Sequence, residues 1–285
     1  MSKFRIRAAT QNEFSIAVDW AAREGWNPGL EDLPAFHAAD PQGFLMGYLD
    51  DRPVSSISVV RYGQDFGFLG FYIVLPEYRG QGYGFQIWQA GLQHLAGRVV
   101  GLDGVVAQQE NYRKSGFVLA GRNVRYTGTI EALSNYPAQD TQPITHATRL
   151  DVTEYDRRFF ADDRTAFMMQ WMQSADPGRR WGVLSKTKDG LQGFGVIRAC
   201  KQGYKVGPLF AESRDVAEAI LAGLCERLPV DSKITIDVPE DNQAAGQMVH
   251  ALGFEANFET ARMYKGSAPG LPINKTFGIT TFELG

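Results

Sequence analysis

Residues 73–84 constrain the fold most strongly, because an apolar segment there breaks into a glycine-rich turn before a helical pattern begins. Three glycines fall within five positions, at Gly80, Gly82 and Gly84, and glycine lets the backbone turn tightly and approach a ligand closely. A helix after such a turn offers unpaired N–H groups and the positive end of its dipole. The stretch therefore predicts a strand, a turn and a helix that together cradle an anion such as a pyrophosphate.

The spacing of the turn argues against two common phosphate-binding motifs. No Lys-Ser or Lys-Thr pair follows Gly82 or Gly84, so the chain lacks the lysine and the Mg²⁺-binding hydroxyl of a P-loop. The GxGxxG pattern of dinucleotide-binding folds is absent as well. Nucleotide or phosphate-ester binding is accordingly the weakest interpretation of this turn.

The turn resembles the acetyl-CoA signature of the GCN5-related N-acetyltransferases (GNAT), in which an arginine, two residues, a glycine, one residue and a glycine follow one another. Arg79, Gly82 and Gly84 supply that spacing. The resemblance implies that a fourth strand exposes backbone groups to the thioester arm, that N–H groups of the turn hold the pyrophosphate, and that the arginine adds charge. The acetyl-CoA site implied in this way comprises Ile73, Val74, Arg79, Gly80, Gln81, Gly82, Tyr83 and Gly84.

Helix and strand patterns alternate through the first half of the chain. Thr10 stands three residues before Glu13, which is a capping-box pattern, and apolar residues at helical spacing follow. Apolar runs between turn residues predict strands. These predicted strands cover residues 43–49, 54–62, 68–75, 98–106 and 118–126. The order of elements indicates an α/β fold with a mixed sheet, as the GNAT resemblance implies.

The two halves of the chain repeat a pattern. Gly116–Phe117 recurs as Gly253–Phe254, and an arginine stands eight residues beyond each phenylalanine, at Arg125 and Arg262. A chance recurrence stays open, because the chain holds 31 glycines and 18 phenylalanines. We interpret the repeat as an internal duplication, which predicts two tandem GNAT-like folds.

A spacer separates the two halves. Pro137 and Pro143 lie there among Gln, Thr and Asp, which resist both helix and strand propagation. We therefore predict a GNAT domain over residues 1–134, a linker over 135–148 and a second GNAT-like domain over 149–285.

The two copies carry different chemistry. GNAT proteins often have a tyrosine four residues before the Gly-Phe pair, and the first half has Tyr112 at that position whereas the second half has Val249. No glycine turn follows Phe210 in the second half. The first half in turn has Val105 where the family often has asparagine. The resemblance thus implies one working acetyl-CoA site, in the first half, and a degenerate second half that shapes the substrate pocket or is structural.

Acetyl transfer to an amine needs a proton donor for the departing thiolate. The family uses a tyrosine where this chain has Tyr112, and a phenol with a pKa near 10 is of the right order for that task. The alternative is that Tyr112 is a half-buried aromatic that packs against the cofactor.

The reaction also needs a group that accepts the proton of the amine. Asp103 interrupts an apolar run near the end of the predicted strand 98–106, the fifth strand of the GNAT fold. A carboxylate there costs burial energy, so we predict Asp103 as the general base. A hydrogen-bonded aspartate that orders the turn at Gly104 is an equally good interpretation. Glu31 and Asp32 are second choices, in the loop region that usually covers the acceptor.

Composition excludes several classes of partner. The formal net charge of −3 gives no basic footprint for nucleic acid. The chain has no apolar run of about 18 residues and no secretion signal, so we predict no membrane contact and a cytoplasmic location. Two cysteines and four scattered histidines make no metal-ligand spacing, so we predict no metal site.

The sequence therefore predicts an acetyl-CoA-dependent N-acetyltransferase that acts on a primary amine. A small molecule is the expected acceptor, because a second domain closed over the site would hinder a folded protein. Trp26 is one of four aromatics that could line its pocket, with Trp20, Phe36 and Phe44. The alternative is a non-catalytic acyl-CoA-binding sensor or assembly module, and the sequence leaves a homodimer open.

Overall fold

A computed structural model describes residues 3–135, 138 and 140–285 of the chain. The first half forms six strands and four helices. The strands are β1 (Phe4–Ala8), β2 (Phe44–Leu49), β3 (Arg52–Tyr62), β4 (Phe66–Val74), β5 (Val99–Val105) and β6 (Val118–Thr129). The helices are α1 (Gln11–Arg23), α2 (Asp32–Ala39), α3 (Tyr83–His94) and α4 (Gln109–Lys114).

The second half repeats this order and adds one strand. Its strands are β7 (Thr141–Pro143), β8 (Arg180–Thr187), β9 (Gly190–Ala199), β10 (Tyr204–Ala211), β11 (Lys233–Pro239), β12 (Glu255–Lys265) and β13 (Thr276–Gly278). Its helices are α5 (Arg149–Asp156), α6 (Thr165–Trp171), α7 (Arg214–Cys225) and α8 (Gln243–Ala251). The predicted mixed α/β architecture is confirmed.

The predicted linker, 135–148, includes a strand. β7 lies within it and pairs antiparallel with β8, from Thr141 opposite Ser185 to Pro143 opposite Val183. Pro137, on which the predicted linker partly rested, lies outside the described residues. The domain boundaries stay predictions.

The two halves share one sheet because they exchange their sixth strands. The order of neighbours is β1-β2-β3-β4-β5-β12-β6-β11-β10-β9-β8-β7, with β13 beside β10. β12 of the second half thus pairs with β5 of the first, and β6 of the first half pairs with β11 of the second. Each half thus supplies the hydrogen-bond partner along one edge of the other half's fifth strand.

The two Gly-Phe pairs end equivalent helices. Gly116 and Gly253 follow α4 and α8 with φ of 90° and 68°, a left-handed conformation that glycine adopts without a steric penalty. The chain then enters β6 and β12, the two exchanged strands. The repeated pattern in the sequence therefore marks the repeated structure.

A fork opens between β4 and β5. The two strands pair in parallel from Phe66 opposite Val99 to Leu69 opposite Leu102. Beyond Leu69 β4 no longer pairs with β5, and its next residue, Gly70, lies against another part of the chain. The glycine turn and α3 follow β4, so the fork and the turn form adjacent parts of one site.

Candidate active site

The fork between β4 and β5 opens into a cavity of about 510 Å³. Its wall includes residues of the turn, of α4 and of the second half of the chain. The lining residues used below are Glu24, Trp26, Gly70, Tyr72, Val74, Arg79, Gly80, Gly82, Gly84, Asp103, Tyr112, Phe258, Thr260, Phe282 and Glu283.

The glycine turn has the backbone conformation that its sequence requires. Gly80 and Gly82 have φ of 74° and 83°, which side-chain-bearing residues rarely adopt. Gly84 lets the helix start lie close to Tyr72, because a Cβ at this position would lie only 2.9 Å from the Tyr72 hydroxyl. The turn therefore brings α3 close against β4.

The start of α3 offers free hydrogen-bond donors. In the described part of the chain no backbone carbonyl or side chain accepts from the N–H groups of Gly82, Tyr83 or Gly84. The first intrahelical acceptor is the carbonyl of Gly82, to which Gln86 donates at 3.1 Å. Because the helix dipole adds positive potential at this end, the turn suits a phosphate group.

Arg79 spans the entrance of the cavity. Its Nε donates to the carbonyl of Val74 at 2.9 Å, and its Nη2 pairs with Glu24 at 2.7 Å. About half of the side chain is exposed. The guanidinium thus fixes the turn to the end of β4 while part of it remains open to a ligand.

β4 is distorted beside the fork. Its register with β3 shifts between Ser56 and Ser58, so that β4 contains one extra residue there. Phe71 lies at this bulge with a φ of 45°, a strained value for a bulky residue, and its carbonyl accepts from Ser56 Oγ at 2.8 Å. A bulge of this kind re-aims backbone groups, here on the strand that borders the cavity.

Tyr112 lies on α4 and borders the cavity. The residue is 7% exposed, and its ring stacks on Trp88 with centroids 5.5 Å apart. Gly104 admits it, since a Cβ there would lie 2.1 Å from the ring. Burial, aided by the nearby Tyr72, raises the pKa of Tyr112, so the phenol stays protonated over the physiological range.

A second tyrosine in the cavity was missed by the sequence analysis. Tyr72 lies on β4, its ring is 5.2 Å from that of Trp88, and burial raises its pKa too. Tyr72 directly precedes Ile73 and Val74 on β4, so its position beside the predicted cofactor-binding residues was the signal that could have identified it. Tyr72 and Tyr112 are thus both protonated phenols beside the cavity, and Tyr112 is the predicted acid.

Asp103 is engaged by two partners. Arg262 donates to both of its oxygens, at 2.8 and 2.6 Å, and Asn123 donates to one at 2.7 Å. The carboxylate side chain has no exposed surface. A proton acceptor at this position would have to give up part of a bidentate ion pair, and its role as general base stays a prediction.

The second half contains the same ion pair. Asp237 is the fifth residue of β11, as Asp103 is of β5, and Arg125 donates to it at 2.6 and 2.9 Å. Arg125 and Arg262 are each the eighth residue of an exchanged strand. We call these two pairs the strand clasps, because each joins the fifth strand of one half to the sixth strand of the other.

A further part of the cavity wall consists of residues that are distant in sequence from the turn. Trp26 comes from the loop after α1, Phe258 and Thr260 from β12, and Phe282 and Glu283 from the segment after β13. Trp26 is one of the four aromatics that were predicted as candidates to line the pocket, whereas the other four residues here were not predicted from the sequence. Trp20, Phe36 and Phe44 lie in the core instead.

Two buried cations hold the Trp26 loop in place. The Trp26 carbonyl accepts from Arg125 at 3.1 Å and from Lys205 at 2.7 Å. The guanidinium of Arg125 also lies over the ring of Phe282, 4.7 Å from its centroid. Both halves therefore build this part of the cavity wall.

The second-choice carboxylates lie outside the cavity. Asp32 is 1% exposed and pairs with Arg180 at 2.6 Å and Arg198 at 3.1 Å. Glu31 accepts from Ser174 Oγ and lies 4.0 Å from Arg179. Both groups join the first half to the second rather than facing the cavity.

The described residues show no sign of a metal site or of a membrane-spanning helix. Within the described residues no group of three or more His, Cys, Asp or Glu side chains could hold a metal ion. No described helix is long and apolar enough to cross a membrane.

Family models match each half separately. One described as the acetyltransferase (GNAT) family matches residues 9–117, and one described as an acetyltransferase (GNAT) domain matches residues 152–278. The first match includes the glycine turn, Asp103 and Tyr112. The second match covers β8 to β12 and ends with β13.

Relatives resemble the chain over nearly its whole length. Holothin acyltransferase from Pseudoalteromonas sp. (strain SANK 73390) is 34% identical over 279 residues, which cover 98% of this chain and 94% of that protein. An acetyltransferase-like structure from Pyrococcus horikoshii superposes with a TM-score of 0.83 at 22% identity, covering 99% of this chain and 96% of the other. A tandem GNAT protein from the clavulanic acid biosynthesis pathway has a TM-score of 0.64 at 14% identity, covering 93% and 100%. At these identities the two structures share the fold with this chain.

Proposed function

This chain belongs to the GNAT acyltransferase family, with one GNAT domain in each half, and we propose that it transfers an acetyl group from acetyl-CoA to the primary amine of a small molecule. The observation that carries the proposal is a single continuous site. The free N–H groups at the start of α3 lead along β4 into the 510 Å³ cavity, which reaches Tyr112.

The residues present fit an acyl-CoA. The N–H groups of the turn from Gly80 to Gly84 would hold the pyrophosphate, with Arg79 adding positive charge. Backbone groups of Ile73 and Val74, beyond the last β4–β5 pair, would bind the thioester arm. When bound, the acyl-CoA supplies an activated acyl group and a thiolate leaving group.

Tyr112 is the proposed proton donor to the leaving sulfur. Burial raises the pKa of this phenol above the value near 10 expected from the sequence, so the phenol is protonated at neutral pH and is a weaker acid than a free phenol. No hydrogen bond engages its hydroxyl within the described chain, so the proton is available to a ligand in the cavity. Transfer to a thiolate that departs is general acid catalysis.

The lining of the cavity favours a small acceptor. Trp26, Phe258 and Phe282, from the loop after α1, from β12 and from the segment after β13, give part of its wall an aromatic surface. A small amine with a flat apolar body suits such walls. Holothin, which the named relative acylates, is accordingly one candidate acceptor.

The proposal also assigns different roles to the two halves. The first domain, residues 1–134, would bind the acyl donor, and the second, residues 149–285, would shape the acceptor end as a degenerate copy. Location in the cytoplasm and assembly into a homodimer stay predictions.

A transfer assay tests the proposed activity. Purified protein is mixed with acetyl-CoA and a panel of primary amines that includes holothin and 2-phenylethylamine, and free CoA thiol is measured while mass spectrometry identifies the acetylated amine. We expect saturable transfer to at least one small amine. Acetyl-CoA binding without transfer to any amine in the panel would favour the non-catalytic binding module instead.

The same assay with propionyl-CoA and butyryl-CoA tests the acetyl preference. We expect the highest kcat/KM with acetyl-CoA. If a longer acyl donor gave a higher kcat/KM, the protein would still be an acyltransferase, but the transferred group would not be acetyl.

A further inference from the structure

Glu283 differs from the other carboxylates that line the cavity. Among described residues these are Glu24, which pairs with Arg79, Asp103, which pairs with Arg262, and Glu283. The Glu283 residue is 4% exposed, yet within the described chain its carboxylate accepts no hydrogen bond and forms no ion pair within 4 Å. Its carboxylate oxygens keep some solvent-accessible surface, because neither is among the fully buried side-chain atoms that lack a hydrogen-bond partner. The carboxylate is therefore buried, free of a direct partner and open to the cavity.

Neighbouring residues hold this segment firmly. Thr280 Oγ1 accepts from Arg164 at 3.0 Å, and the carbonyl of Leu284 accepts from the Tyr62 hydroxyl at 3.0 Å. The N–H of Leu284 donates to Thr281 Oγ1 at 2.9 Å. A side chain on so constrained a backbone needs little reorganisation to meet a ligand.

Glu283 lies at the fork where β4 leaves β5. A Cβ on Gly70 would lie only 2.1 Å from the Glu283 carbonyl oxygen, so glycine at that position admits the segment. Gly70 directly follows Leu69, the last β4 residue that pairs with β5. The segment thus enters the cavity beside the backbone proposed to bind the thioester arm.

The surroundings of Glu283 contain charges of both signs. Arg125 on β6 and Lys205 on β10 are near enough for their charges to interact with that of Glu283. Arg125 also balances Asp237, and the cations share the Trp26 carbonyl. The other titratable side chains that line the cavity are Glu24, Tyr72, Tyr78, Arg79, Asp103 and Tyr112.

We propose that Glu283 is the general base that takes the proton of the acceptor amine, an assignment that rests on the proposed acetyltransferase function. It stands at the fork with a free carboxylate, whereas Asp103 is held by Arg262 and Asn123. The clasp formed by Asp103 recurs at Asp237 in the other half, so it serves the exchanged strands.

Glu283 and Tyr112 would each transfer one proton during the reaction. The nitrogen lone pair of the neutral amine forms a bond to the carbonyl carbon of the thioester, and the carbonyl π electrons move to oxygen. One N–H proton passes to the Glu283 carboxylate. The oxygen electrons then return, the C–S bond breaks with its pair on sulfur, and Tyr112 gives sulfur a proton. Solvent returns a proton to the tyrosine oxygen and removes one from Glu283.

The test compares Glu283→Gln with Asp103→Asn, using acetyl-CoA and 2-phenylethylamine in the full-length protein. Gln keeps the shape of Glu283 but cannot take a proton. We expect kcat to fall about 100-fold in Glu283→Gln, the size usual for loss of a general base. Acetyl-CoA affinity should stay within twofold. The native protein should lose kcat toward acid pH, and this loss should disappear in Glu283→Gln. Asp103→Asn should keep that pH dependence.

Chemical rescue separates proton transfer from a structural role. Glu283→Ala leaves space for a small carboxylate, and we expect added formate to raise its kcat at least tenfold while chloride does not. Where 2-phenylethylamine is not accepted, slow hydrolysis of acetyl-CoA provides the same comparison, because attack by water also needs a base.

Each remaining outcome overturns the assignment. A Glu283→Gln variant with kcat within twofold of the native value, or a slow one with an unchanged pH profile and no formate rescue, excludes Glu283 as the base. If the native protein releases no CoA with any amine of the panel or with water, the proposed function itself fails, and this inference fails with it.

Discussion

The start of α3 and the start of α7 are equivalent places in the two halves, and they have opposite properties. Both helices have twelve residues and follow the fourth strand of their half. α3 follows a glycine turn, and its first N–H groups donate to no acceptor in the described part of the chain. Ser213, by contrast, caps α7 by accepting from the N–H of Val216 at 3.4 Å. One helix start has no side-chain cap and suits an external anion, whereas the other has a side-chain cap within the chain.

The two forks differ in the same sense. The cavity lies at the fork between β4 and β5, whereas β13 fills the fork between β10 and β11. Gly278 pairs with Leu209 on β10, and the next residue, Ile279, donates to the Asp237 carbonyl on β11 at 2.9 Å. The backbone that the first half leaves available to a ligand is thus consumed by the chain itself in the second.

The comparison shows how a duplicated fold can divide its work. The segment that closes the second fork continues as residues 279–285 into the first half, where it supplies Phe282 and Glu283 to the cavity. The loss of one potential binding site and the completion of the other are therefore two consequences of a single segment. The strand clasps keep the halves in register for this arrangement.

The largest expected effect concerns the clasps. Arg125→Met leaves Asp237 buried without its bidentate partner, and we expect the free energy of unfolding to fall by about 3–5 kcal/mol. Urea denaturation followed by circular dichroism measures this change. The double variant Arg125→Met with Asp237→Leu should recover most of the loss, because no unpaired charge remains. A single variant within about 1 kcal/mol of the native protein would contradict the clasp assignment.

The next effect concerns the proton donor in the first half. Tyr112→Phe removes the hydroxyl but keeps the ring on Trp88, so we expect kcat to fall at least about tenfold while acetyl-CoA affinity is kept. Steady-state kinetics and titration measure the two quantities. Tyr72→Phe is the matched control, with kcat expected to stay within threefold. Equal losses in both variants would contradict the assignment of Tyr112 as the acid.

A smaller effect follows from the close approach of the segment to β4. In Gly70→Ala the new methyl group would lie 2.1 Å from the Glu283 carbonyl, so we expect about 1–3 kcal/mol of destabilisation and reduced kcat. Gly246→Ala in α8 is the control, since nothing lies within 4 Å of a Cβ there and alanine favours a helix. Thermal unfolding and the transfer assay compare them. Equal activity in both variants would show that kcat does not depend on the placement of this segment.

The smallest effect is a pH dependence in the second half. Burial disfavours the charge of Glu212, but hydrogen bonds from Lys275, Arg158 and Tyr155 prevail and lower its pKa from 4.5 to about 2. Its contribution to stability is therefore complete above about pH 4.5 and is lost as the pH falls toward 2. In Glu212→Gln we expect a weaker loss of Tm between pH 5 and 3 than in the native protein. Glu226→Gln, an exposed change at the other end of α7, should leave that loss unchanged.

The sequence predicted those parts of the site that are local along the chain. The conformations of Gly80 and Gly82 follow from the glycines themselves, and Tyr112 was identified by its spacing to Gly116–Phe117. Such signals survive in a single sequence because the residues that act together also lie close together in it.

The acceptor end could not be predicted in this way. Glu283 reaches Gly70 from 213 positions away, and β12 enters the first half only because the sixth strands are exchanged. Strand exchange leaves no periodic pattern in the sequence, since the same side chains alternate whichever partner the strand has. The buried aspartate in β5 was noticed for its cost, but its partner Arg262 could not be assigned from the sequence alone.

Isothermal titration of the full-length protein with acetyl-CoA tests the division between the halves most directly. We expect one site, lost in Gly82→Trp and kept in Gly97→Trp. Gly97 is a matched control because it adopts the same left-handed conformation, with φ of 84° against 83° for Gly82. At both positions nothing lies within 4 Å of an added Cβ. Two equivalent sites, or one site that survives in Gly82→Trp, would contradict the account.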